Sequence, residues 1–109
     1  MTTEQARMLV RRETQDHLAI PNDHEITLGS ALVEPERITI IVRTVRNGVI
    51  SDEKETVWLV GRGPDPDGYM ILMRDDGMQF GLASRGFPKD KYPILCGLYG
   101  DLMTRFMGM

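Results

Sequence analysis

The sequence predicts a single α+β domain spanning residues 1–109: an N-terminal helix, an antiparallel sheet of four or five strands, and a C-terminal helix. Three observations carry that prediction. Apolar residues near the N-terminus recur at helical spacing, the middle of the chain alternates with a period of two, and a helical stripe returns near the C-terminus. A chain of 109 residues is also too short for two cores unless disulfides or metals reinforce them. With 41% hydrophobic and 27% charged residues it lies well outside the composition of disordered chains.

The first helix starts at Thr2, three residues before Gln5 in capping-box spacing. Ala6, Leu9 and Val10 open an apolar stripe that His17 and Leu18 extend until Pro21 ends it. Beyond His24 the residues Ile26, Leu28, Ser30 and Leu32 share one face of a strand, and Glu34-Pro35-Glu36 reads as a connection. In "RITIIVRTV", Ile38, Ile40 and Val42 face one way while Ile41 and Val45 face the other. Asn47-Gly48 is a turn signal, the polar "SDEKE" predicts a longer connection, and "TVWLVG" gives a strand over Thr56 to Arg62.

The stretch "GPDPDG" reads as a loop, because Pro64 and Pro66 cannot donate ladder hydrogen bonds. A hairpin follows, Tyr69 to Arg74 and Met78 to Ser84, turning at Asp76-Gly77. That turn sets Met73 opposite Phe80 and Ile71 opposite Leu82 on one side. On the other side Met70 meets Ala83 and Leu72 meets Gly81, small against large, as expected where another element approaches closely. Ile94 to Met107 reads as the second helix, with Pro93 in its first turn and Leu95, Leu98, Leu102 and Phe106 as its buried stripe. Close packing is the expected reason for Gly97 and Gly100 within it.

Composition then narrows function. The formal charge is −3, and residues 34–76 carry nine acids against six bases, a poor match for phosphate backbones. Trp58, Tyr69 and Phe80 are not interleaved with basic residues, so they serve a core better than a nucleic-acid stacking platform. No apolar run approaches a membrane span and no leader pattern opens the chain, while the lone Cys96 cannot form an internal disulfide; a cytoplasmic location is expected.

The linear motifs fail one by one. "DPDGYMILMRDDG" places its glycine at the fourth position, where a calcium loop needs it at the sixth. "GLASRG" is one residue too long for a nucleophile elbow around Ser84, and Gly61 and Gly63 are followed by Pro66 rather than a third phosphate-binding glycine. His17 and His24 are too far apart for a zinc site, and Cys96 beside leucines reads as a small buried hydrophobe near a helix start. No catalytic residue, metal or cofactor is therefore assigned.

The order of elements, Trp58 on a strand, Gly63-Pro64 before a hairpin, Gly77 at its turn and "SRGFP" leading to a terminal helix resemble small YrhB-type immunity proteins of bacterial toxin systems. The resemblance covers the last half of the chain, and the inserted "DPDG" and the methionine-rich terminus depart from it. It implies a protein that neutralises a toxin by binding it. The expected function is thus a non-enzymatic protein-binding module, a bacterial or phage immunity or inhibitor protein whose acidic loops meet a basic partner surface. Its expected contacts are Glu34, Glu36, Asp52, Glu53, Asp65, Asp67, Asp75 and Asp76, with Arg62 and Arg74 setting register. Two alternatives stay open: a small-ligand protein or enzyme with a pocket lined by Met70, Leu72, Trp58 and Tyr69, and a homodimer through a strand edge or the C-terminal helix, where Met103, Met107 and Met109 lie.

Overall fold

A computed structural model of the chain describes residues 1–64, 68–85 and 91–109. The expected capping box is present at the start of helix α1 (Thr3–Thr14): Thr2 Oγ1 accepts from the Gln5 N–H at 3.2 Å, and Gln5 Oε1 accepts from the Thr2 N–H at 2.8 Å. Ala6, Val10 and Thr14 form its buried face. The helix stops at Thr14, whose hydroxyl donates back to the Val10 carbonyl at 2.7 Å, so His17 and Leu18 lie in turns beyond it.

The strand expected over Ile26 to Leu32 is not formed. Thr27 accepts from the Ser30 N–H at 3.3 Å and caps the short helix α2 (Leu28–Ala31). Leu28 and Ala31, three positions apart, are both fully buried there, a helical rather than an alternating pattern. The expected connection at Glu34-Pro35-Glu36 is also absent as such. It lies inside strand β1 (Leu32–Arg46), as an irregularity between Leu32 and Glu36 where Pro35 supplies no donor.

Strand β1 turns at Asn47 (φ +52°) and Gly48 (φ +76°) directly into β2 (Val49–Arg62). Two consecutive positive φ angles give the tight hairpin turn whose twist suits flanking strands. "SDEKE" is therefore strand and not connection. The hairpin of β3 (Met70–Met73) and β4 (Phe80–Ser84) has the expected register: Met73↔Phe80, Leu72↔Gly81, Ile71↔Leu82 and Met70↔Ala83.

The second helix requires the largest correction. Ile94–Gly100 is a strand, β5, and only Leu102–Met107 is helical, α3, capped by Asp101. Gly97 sits at φ +76°, which an α-helix interior does not admit. Leu98 is 82% exposed, whereas Leu102 and Phe106 are buried as expected.

The strands form a closed barrel in the order β1-β2-β3-β4-β5. All neighbours are antiparallel except β1 and β5, which run parallel and meet at Ile41↔Ile94, so the sheet is mostly, not wholly, antiparallel. Two cores result. Ile40, Val57, Leu59, Met70, Leu72 and Ala83, with Ile38, Val42 and Leu95 against them, draw on all five strands and fill the interior. Trp58, Val60, Ile71, Met73, Phe80 and Leu82 face outward and are covered by α1, α2, α3 and Met109. Strands β3 and β4 are thus buried on both sides, which is why "MILM" and "FGLA" read as continuous apolar runs.

Candidate functional site

The described residues expected to meet a partner lie on several elements, and four of the acids are engaged within the chain. Glu34 is held by Arg7 of α1, a bidentate contact that keeps its carboxyl below the usual carboxylate range. Asp52 is clamped across the β1–β2 hairpin by Arg43, Nε and Nη2 donating at 2.8 and 2.9 Å, and that hydrogen bonding lowers its pKa as well. Asp75 accepts from Arg37 at 3.2 Å and from Trp58 Nε1 at 3.0 Å, while the Arg37 guanidinium lies 4.9 Å from the indole centroid. Asp76 accepts from the Met78 N–H at 2.8 Å and so closes the β3–β4 turn. Glu53 is exposed on the hairpin and Glu36 is exposed near the start of β1. Asp65 and Asp67 lie outside the described residues.

Arg74 closes one end of the barrel interior. Its Nε donates to Glu55 at 2.9 Å, its Nη1 to Gln79 at 3.2 Å, and its guanidinium stacks 4.6 Å from the Tyr99 ring. Burial first, and the Glu55 carboxylate second, push the Tyr99 phenol up to about 12. Its hydroxyl makes no hydrogen bond among the described residues.

The opposite end is open. Arg62, at the end of β2, and Glu36 join Arg85, Lys91 and Tyr92 around a cavity of ≈ 570 Å³ with Ile38, Leu59 and Met70 in its lining. Of the pocket residues expected from the sequence only Met70 lines it: Leu72 is fully buried, Trp58 faces the outer core and Tyr69 is 43% exposed. The Cys96 thiol, on β5, lies 3.4 Å from Ser84 Oγ and donates to the Ile94 carbonyl at 3.5 Å. Among the described residues no group of three or more His, Cys, Asp or Glu could hold a metal, and no helix is long and apolar enough to cross a membrane.

A separate exposed feature is the far half of the β1–β2 hairpin. From Val42↔Glu53 to Arg46↔Val49 the two strands pair, among the described residues, only with each other, because β5 joins β1 at Ile41 and β3 joins β2 from Trp58. At about 3.3 Å per residue, that arm extends roughly 15 Å from the barrel. Its tip carries Val45, Val49 and Ile50, each about two-thirds exposed (65%, 66% and 65%). Among the described residues neither edge of this arm joins another strand, so both present backbone donors and acceptors outside any ladder. Sequence reasoning passed over the arm, although apolar residues on either side of Asn47-Gly48 were the available signal. Compared with known proteins, the chain matches no family model, no curated protein and no solved structure.

Proposed function

We propose that the protein is a non-enzymatic protein-binding module, of the immunity or inhibitor kind implied by its sequence resemblance, and that the β1–β2 arm is its principal contact. The observation that supports this reading is the arm itself: a two-stranded ribbon with an apolar tip and, among the described residues, no strand on either edge. A partner strand laid along an edge would satisfy the open backbone groups, and a shallow apolar site would receive Val45 and Ile50, which face each other across the ribbon on one side, while Val49 points to the other. Completing the burial of these two side chains is worth roughly 1–2 kcal/mol each before the cost of association.

Asp52 and Glu53 are the members of the expected acidic set that ride on this arm. Asp52 is already neutralised by Arg43, so recognition through charge falls to Glu53, Lys54 and Arg46, and the apolar tip supplies the affinity.

The test is a photo-crosslinking residue placed at Ile50, with a control at exposed Glu13, in the native host. The reading expects one discrete adduct from position 50, absent at position 13, and lost when Val45→Asp is added without change in thermal stability. No adduct from the arm, or the same adducts from both positions, refutes it. An adduct of twice the chain mass would identify the partner as a second copy.

A further inference from the structure

We propose that the open mouth of the barrel is a binding site for a small anionic molecule with a short apolar tail. Arg62, Arg85 and Lys91 arrive from three separate segments, the end of β2, the residue after β4 and the approach to β5, and line one cavity of ≈ 570 Å³. That volume lies within the range of small-molecule sites. Four arginines elsewhere hold acidic partners, Arg7 with Glu34, Arg37 with Asp75, Arg43 with Asp52 and Arg74 with Glu55, whereas Arg11, Arg12, Arg46 and Arg105 make no ion pair with a described residue and do not line this cavity. At the mouth, Arg62, Arg85 and Lys91 make no ion pair with any described residue, and Glu36 is the one acid lining the cavity among them.

Among the described lining residues, three cations face one carboxylate, a local excess of two positive charges in a chain whose net charge is −3. Gathering like charges costs stability, and a bound anion converts that cost into affinity. Two arginines offer planar forks that fit a carboxylate or a phosphate, and Lys91 adds a compact charge. Below them Ile38, Leu59 and Met70 belong to the interior core, so the wall of the cavity behind the cations is apolar, and the thioether of Met70 adapts to an irregular tail. Tyr92, Pro93 and Thr39 also line the cavity. A head and tail together fit this arrangement; a bare anion would leave the apolar wall unused.

The experiment is a titration of the whole chain with hexyl phosphate, hexanoate, inorganic phosphate and hexanol. It is followed by calorimetry and by the NMR resonances of the arginine Nε–H groups. Saturable binding of hexyl phosphate or hexanoate is expected, at least tenfold tighter than inorganic phosphate and hexanol, with shifts at Arg62 and Arg85. The relative affinities of the two hexyl compounds distinguish a phosphate head from a carboxylate head. Arg62→Gln and Arg85→Gln should each weaken binding about tenfold at unchanged melting temperature, while Arg12→Gln, on α1, should not. No saturable binding of either hexyl anion overturns the proposal. So does equal weakening by Arg12→Gln, or inorganic phosphate binding as tightly as hexyl phosphate.

Discussion

Gly81 tests whether β5 closes against the sheet as described. A Cβ added there would lie 2.9 and 3.0 Å from two carbons of the Tyr99 ring and 3.1 Å from Leu95 Cδ1, well inside ordinary carbon contact. The ring has limited room to withdraw, because the Arg74 guanidinium is stacked on it and is itself tied to Glu55 and Gln79. Forcing a methyl group into such packing costs about 1–3 kcal/mol. Against this, Gly→Ala at a backbone angle that alanine tolerates lowers the entropy of the unfolded chain and returns about 0.4–1 kcal/mol. Gly81→Ala should therefore destabilise by roughly 1–2 kcal/mol, lowering the melting temperature by about 5–10 °C for a domain of this size. Denaturant unfolding of Gly81→Ala, Tyr99→Ala and the double variant measures it. With Tyr99 removed, the methyl group should become neutral or mildly stabilising, a coupling of about 1 kcal/mol or more. Additive costs, or a Gly81→Ala protein as stable as the parent, would refute the close approach of Tyr99.

Two further outcomes follow from titrating groups. Tyr99 keeps its proton up to about 12 in the folded chain, against 10.0 for an unperturbed phenol, so its contribution is complete below pH 10 and disappears as pH rises through about 12. Urea unfolding across that window should show a fall in stability that Tyr99→Phe reduces. Asp101 Oδ2 accepts from the Thr104 N–H at 3.0 Å, which holds its pKa below 3.8; its contribution is complete above that value and is lost as acid protonates the cap. Asp101→Ala should cost about 1 kcal/mol at neutral pH and Asp101→Asn much less, by thermal unfolding.

What could be read from the residues was what local chemistry decides. The β3–β4 register was legible because the Gly77 turn and the alternation of Ile71, Met73, Phe80 and Leu82 act within a few residues of each other. The capping box at Thr2 and Gln5 was legible for the same reason. Strand β5 was not, because "ILCGLYG" places Leu95 and Leu98 at helical spacing, and only pairing with β4 and with distant β1 makes it a strand. The arm was hidden by "SDEKE": a ribbon with neither face buried shows no apolar alternation, so its polar residues resembled a loop. The barrel mouth escaped because Arg62, Arg85 and Lys91 are scattered along the chain and only closure of the sheet gathers them. The acidic residues were individually visible, but which arginine each would meet depends on contacts as distant as Arg7 with Glu34 and Arg37 with Asp75.

The barrel is joined unevenly around its circumference. Four of its junctions are antiparallel ladders, and the fifth is parallel, with Ile41↔Ile94 its one pairing among the described residues and the Ile41 N–H donating to the Pro93 carbonyl at 2.8 Å. Those partners are separated by about half the chain, so closing this seam costs more loop entropy than closing either hairpin. It is also where the cylinder can unzip while both hairpins stay intact. Pro93 and Tyr92 stand beside it and line the cationic mouth, so whatever opens the seam also reshapes that mouth.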